Sequence, residues 1–507
     1  MERNQNERRI LSHLIGEPGQ TVVEGTALLP MGMPEMERII QLVPYAQITM
    51  QEAEGDRVSL GGEVTVLICY LCKDNLTHAY ESTSPFQAVV DLPQAKKGMD
   101  VLAEALPAAL EYRLVNGREL GLTVTVDLCC TVEHEIPLVA MGVEEAPKDA
   151  CVLPREVHFT RSAGRMKLTG EIEGSIPIPA GIPAVERVLY ATGFAQCKQA
   201  VFNGEQLVIS GELKLSVLYT TGEESAPISS FCGTLEFHEE MDASDLDGDI
   251  EVRAQVGKIY CELDEAGDAL KISALCRMAV CSRRRFGFVG IGDAYGIQKE
   301  VELQTASIHA AEQCISRTAA GAIRERMPLG DSPVPSRVLA CALLPAAARA
   351  YGEDGVLVLE GMLSCQVTYL GYDGGIYMAM GEVPLRLREP GVDLGDAQTL
   401  LCRICPEQVQ AVPVGDEVEI RALVSYSCEG FRGIHTTLVT GMEVLDTPAA
   451  DAVPPGILVY FVQPGDTLWD VAKRYRIHKD VIKNQNGDVE ERLQPGQKLL
   501  LLLRPEG

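Results

Sequence analysis

One pattern recurs three times along this chain, at intervals of about 149 or 150 residues. The segment Gly62 to Tyr70 is echoed by Gly211 to Tyr219 and again by Gly361 to Tyr369, with eight residues from glycine to tyrosine each time. Upstream, Pro34-Glu35-Met36-Glu37-Arg38-Ile39 parallels Pro183-Ala184-Val185-Glu186-Arg187-Val188, and Pro333-Val334-Pro335-Ser336-Arg337-Val338 keeps the outline. Anchors in register at a fixed period mark an internal repeat. The period is far longer than a solenoid unit, so each copy is expected to fold around its own core, as beads on one chain.

Inside each copy the apolar period is two, as in Val58-Ser59-Leu60 and Leu207-Val208-Ile209, and turn pairs such as Asn203-Gly204 and Asp354-Gly355 precede these runs. Each copy then closes with a second hairpin: Glu111 to Val115 returning as Leu120 to Thr131, Arg253 to Leu263 as Leu270 to Cys281, and Val409 to Pro413 as Val418 to Cys428. Short strands at regular spacing predict antiparallel sandwiches or barrels. The fold class expected is mainly β: three tandem antiparallel β-sandwich-like repeats over 1–149, 150–299 and 300–446, a linker over 447–456, and a small α+β domain over 457–507 with strand, helix, helix and strand in that order (βααβ).

The formal charge of −28 opposes binding to a phosphate backbone, which rests on Lys and Arg displacing counterions. Nucleic acid is therefore excluded as a partner. Residues 457–507 carry eight Lys or Arg against seven Asp or Glu, so the tail is about neutral and its carrier holds the negative charge. This offset suggests that the tail contacts a different kind of surface. The polar start, Met1 to Arg9, leads into no signal-peptide pattern, and no stretch reaches the 18 apolar residues that a membrane span needs. The expectation is a protein that is not membrane-spanning and stays in the cytoplasm, with its 16 cysteines as reduced thiols.

In the tail, Val459 to Val462 reads as a strand, and Gln463-Pro464-Gly465-Asp466 as a turn. Thr467 stands as N-cap with Asp470 three residues on. Leu468, Val471, Ala472 and Tyr475 then fall on one helical face. A second helix from about Lys479 to Asn484 points Val481 and Ile482 inward, and Lys498 to Leu503 closes the module as a strand. Trp469, Ala472, Tyr475 and Ile482 are the expected core.

No catalytic site and no cofactor are expected. The eight histidines fall in no recognised motif, and glycine-rich phosphate loops are missing. Cys69/Cys72 and Cys402/Cys405 have a zinc-like spacing. Residues i and i+3 of a strand point to opposite faces, however, so buried thiols are the better reading and no metal is expected. Arg283-Arg284-Arg285 reads as a solvated edge guarding a sheet.

The repeated outline of prolines, then Glu-Arg-Val-Leu or its relatives, then a Gly-Glu-x-x-x-x-Val-Leu-Tyr strand resembles the SPOCS domain of spore-forming Firmicutes over roughly 20–445. The second copy fits best, and the third departs at Ser336 and Met362. The tail is similar to LysM over its whole length, through Gln463 to Trp469, Asn484-Gln485-Asn486 and Leu493 to Gln497. That likeness implies a shallow groove for N-acetylglucosamine glycans such as peptidoglycan or chitin, lined by Gly465, Asp466, Thr467 and Leu468 on one side and Asn486, Leu493 and Pro495 on the other. Leu468 reads better as core than as a groove contact by its helical spacing. Arg476 departs from the glycine common at that point of the family. Together the two likenesses resemble the SipL-type spore coat morphogenetic proteins of clostridia. They imply a non-enzymatic scaffold in the mother cell, recruited to the forespore surface, whose LysM binds the coat basement-layer ATPase protein and whose repeats bind other coat proteins. The alternative is a peptidoglycan-binding protein of the cell wall or spore cortex.

Overall fold

The computed structural model describes residues 9–16, 19–223, 227–244, 246–330, 332–344, 346–392, 399–448, 456–487 and 489–503. Most of the expected linker, 449–455, lies outside them.

The first copy comprises β1 (Arg9–Ile15), β2 (Gly19–Leu28), β3 (Met36–Ala53), β4 (Arg57–Cys72), β5 (Thr77–Asp91), β6 (Asp100–Asn116) and β7 (Glu119–Pro137). Strands β3, β4 and β5 form an antiparallel meander. In the second sheet β7 pairs with β6 on one edge, and with β1 and β2, end to end, on the other. The two sheets face each other across a core containing Val23, Leu42, Val66, Ile68 and Leu122. The second copy repeats this plan with β8 (Ala150–Pro177), β9 (Arg187–Phe202), β10 (Gln206–Thr220), β11 (Ile228–Asp242), β12 (Asp249–Leu263) and β13 (Ala269–Gly296). The third copy uses β14 (Lys299–Pro328), β15 (Pro335–Leu343), β16 (Ala346–Ala347), β17 (Arg349–Glu353), β18 (Val356–Gly371), β19 (Ile376–Pro390), β20 (Thr399–Val414) and β21 (Glu417–Pro448), with β15 and β17 sharing one edge of β18. Three tandem antiparallel sandwiches are thus the fold.

The repeated anchors have a physical cause. An even spacing puts glycine and tyrosine on one face of a strand. Gly62 and Gly211 lie under the rings of Phe86 and Phe237, their cross-strand partners, where an added Cβ would come within 2.6 Å of the ring. Tyr70 and Tyr219 are buried, and their hydroxyls donate to the carbonyls of Pro34 (2.9 Å) and Pro183 (3.1 Å). Tyr369 is buried at the third equivalent place.

The copies are not independent beads. Arg38 Nη1 donates to the Ile376 carbonyl (2.9 Å), so the first copy holds the start of the last meander strand in the third. Arg187, the same residue of the second copy's motif, donates to the Thr77 carbonyl in the first (2.6 Å). Ser230 of the second copy reaches the Leu339 carbonyl of the third (3.5 Å). Each sandwich thereby touches both others, and Ile40, Leu218 and Leu339 share one small apolar cluster between them. The strands of the closing hairpins also run on past Thr131, Cys281 and Cys428, where the sequence pattern ends them. Their extensions bundle into a second shared core, containing Ile10, Phe159, Phe288, Ile308 and Leu438.

Where this bundle meets the sandwiches, Glu133, Arg283 and Phe431 take the same place in the three copies, each opposite the first residue of β6, β12 or β20. Arg283 is 3% exposed and donates to Glu133 (2.5 Å) and Glu251 (2.6 Å), with its Cζ 5.7 Å from the Phe431 ring centre. Arg165 also binds Glu133, and Arg253 bridges Glu251 (2.8 Å) and Glu429 (2.6 Å). The reading of Arg283 as a solvated edge is therefore corrected. A run of three arginines has no apolar period to reveal that its first member faces inward, whereas Arg284 and Arg285 do stay exposed.

Candidate binding site in the C-terminal module

The tail folds as β22 (Gly456–Phe461), α1 (Leu468–Arg474), α2 (Lys479–Asn486) and β23 (Lys498–Leu503), with β22 and β23 paired antiparallel. The order βααβ is the one expected. Thr467 caps α1: its Oγ1 accepts from the Asp470 amide (3.2 Å), and the Asp470 carboxylate accepts from the Thr467 amide (3.0 Å). Leu468, Ala472 and Ile482 are fully buried, Trp469 is nearly so, and Tyr475 is half-buried against the same core.

Gly465, Asp466 and Thr467 form the turn before α1, and Gly465 holds φ +92°, a conformation that glycine adopts at little cost. Leu493 and Pro495 lie on the loop before β23. The two segments are adjacent. Thr467 pairs with Arg492, and the Leu468 amide donates to the Glu491 carbonyl (3.2 Å).

Most of the polar groups on the proposed edge already have partners. Asp466 accepts from the Tyr460 hydroxyl and from the Gln463 amide (2.8 Å), and lies 3.4 Å from Arg474. The Tyr460 bond, with the Gln463 amide and Arg474, holds its carboxyl below the ordinary range against the opposing effect of burial. Asn486 ties α2 to β23, donating to the Leu500 carbonyl (2.9 Å) and accepting from the Leu500 amide (2.7 Å). Leu468 is corrected as a groove contact: its side chain is core. Gly465, Thr467 and Pro495 are exposed, and Leu493 is half-buried.

Another part of the module's surface is occupied by its own chain. Trp469 Nε1 donates to Asp293 (2.9 Å) while its ring meets that of Tyr295 edge-on at 5.0 Å. Lys473 pairs with Asp293 (2.7 Å), and the Tyr295 hydroxyl donates to the Ile477 carbonyl (2.7 Å). Arg476 donates to the Gly296 carbonyl (3.0 Å) and pairs with Glu300 (3.0 Å). Arg476 stands at φ +53°, the left-handed region that favours glycine. The side chain that departs from the family pattern thus supplies a bond to the repeats. The docking residues Asp293, Tyr295 and Glu300 were missed by the sequence reading, although the charge offset between tail and carrier was their trace.

A hollow of about 760 Å³ lies between the three sandwiches, lined among others by Glu104, Arg253, Arg403, Cys402 and Cys428. Its charges are largely spent on each other, as in Arg403 to Glu104 (2.6 Å) and Arg253 to Glu429. Cys69 and Cys72 are buried, in different apolar clusters. Burial pushes the Cys405 thiol up to about 12, which disfavours the thiolate that a metal or nucleophilic role needs. Among the described residues no three His, Cys, Asp or Glu side chains converge as a metal site.

Compared with known proteins, residues 460–501 match the LysM domain and residues 35–115 match the SipL, SPOCS domain. The chain carries a SipL-type SPOCS domain and a LysM domain. The SPOCS match covers β3 to β6 of the first copy, not the second copy in which the motif outline looked fullest. No curated protein and no solved structure matches the chain. Both domains are binding domains rather than catalytic ones, and together they fit a sporulation coat-associated protein with a peptidoglycan-binding type of domain. No helix among the described residues is long and apolar enough to cross a membrane.

Proposed function

We propose that this protein is a non-enzymatic adaptor in spore coat assembly, working in the cytoplasm of the mother cell at the forespore surface. The observation that carries this reading is the presence of a SipL-type SPOCS domain and a LysM domain on one chain. In this role the LysM domain binds the coat basement-layer ATPase protein and the repeats bind other coat proteins. The ring of sandwiches presents these surfaces in a fixed geometry, so that weak contacts reinforce each other through effective concentration.

A second reading is glycan binding at peptidoglycan, supported by the LysM domain and by the exposure of Gly465, Thr467 and Pro495 on the adjacent turn and loop. Co-precipitation of the full chain from sporulating cells, set beside retention on insoluble peptidoglycan, separates the two. Capture of the coat ATPase without retention on glycan supports the adaptor. Retention on glycan with no protein partner contradicts it.

A further inference from the structure

We propose that His309 and His435 form a binding site for a divalent transition-metal ion, of the zinc or nickel kind, on the long paired strands β14 and β21 of the third repeat. The two residues are direct partners across β14 and β21, and both are exposed. Their Nδ1 atoms lie 2.7 Å apart, and their rings meet edge-on with centres 4.9 Å apart.

A neutral imidazole has one N–H and one lone-pair nitrogen. At this separation one ring donates and the other accepts, so a single shared proton lies between two Nδ1 atoms. When that proton moves through solvent to Nε2 of the donor ring, both rings stay neutral and each Nδ1 offers a lone pair to a metal ion between them. Zinc-to-imidazole bonds of about 2.0–2.1 Å in tetrahedral geometry put two ligand nitrogens about 3.3 Å apart. The pair therefore has to open by only about 0.6 Å, within reach of a small rotation of two exposed rings.

The neighbours leave room. On the same face the next partners are Ser307 opposite Thr437 and Ala311 opposite Gly433, all small. No third His, Cys, Asp or Glu joins the pair among the described residues, so water fills the rest of the sphere. Imidazole without carboxylate selects zinc, copper or nickel and disfavours magnesium and calcium, which take oxygen ligands. The two histidines are 126 residues apart, and only the register of β14 on β21 brings them together.

The test is titration of the chelator-treated, reduced full chain with zinc chloride, followed by calorimetry. Comparison with His309→Asn and His435→Asn removes the background from cysteine thiols. Wild type is expected to take up one more equivalent of zinc than either variant, with the extra equivalent unaffected by excess magnesium and retained by His158→Asn. Both substitutions are on the surface, and unchanged circular dichroism and melting show that the variants fold. Equal zinc uptake by wild type and both variants overturns the site, as does loss of the equivalent in His158→Asn.

Discussion

Arg283 is buried because Glu133 and Phe431 stand where strict threefold repetition would place two more arginines. Three like charges on one axis would repel, whereas a carboxylate and an aromatic face both attract a guanidinium. Removing one partner from such a network leaves a charge without compensation, which costs about 3–5 kcal/mol. Arg283→Ala and Arg283→Met are therefore both expected to lower the urea stability of the repeats by that order, because each leaves Glu133 and Glu251 without their cation. A clearly smaller loss for Arg283→Met would show that packing, not charge, matters there. Nearby, burial pushes Glu429 up to about 7, while Glu251 is held low because Arg253, its hydrogen bond with Glu429 and Arg283 outweigh burial. A carboxyl whose folded value is raised binds its proton more tightly folded than unfolded. Its contribution is fully present below about pH 4.3, the usual unfolded value, and fades as pH rises through about 7. Glu429→Gln should abolish that part of the pH dependence between these limits. A profile identical to wild type would exclude Glu429 as its source.

At the scale of elements, the parts with local causes were legible. The Gly and Tyr anchors, the closing turns and the βααβ order all follow from spacing and turn chemistry within a few residues. The continuation of β7, β13 and β21 was not legible, because their far halves pack against other copies and lose the simple alternation that marks a half-buried strand. In the candidate site, the core positions followed from helical spacing. The commitment of Asn486 to β23 did not, since nothing in Asn484-Gln485-Asn486 records what faces it. Arg476 was noticed as a departure without its meaning. Arg476→Gly removes a left-handed non-glycine residue, relieving backbone strain of roughly 1–2 kcal/mol. The same change deletes the bonds to Gly296 and Glu300. Hydrogen exchange should then quicken at residues 293–300 while protection within α1 is kept. Unaltered exchange at 293–300 would mean that Arg476 does not hold the LysM domain in place.

For the whole molecule, the repeat period argued for beads, and the structure instead closes three sandwiches on one another. The reason is that the first two copies repeat an inter-copy contact along with the core: the arginine of each motif finds the start of another copy's last meander strand. The LysM domain, about neutral beside an acidic carrier, then docks through Lys473 and Arg476 onto Asp293 and Glu300. If this holds, the chain is one rigid adaptor rather than a tethered string. Small-angle X-ray scattering of the full chain tests it most directly. A single compact particle with a radius of gyration of about 24 Å, the size expected for one globule of this length, is the predicted result. A much larger radius, with separate peaks in the distance distribution from independently moving lobes, would contradict it.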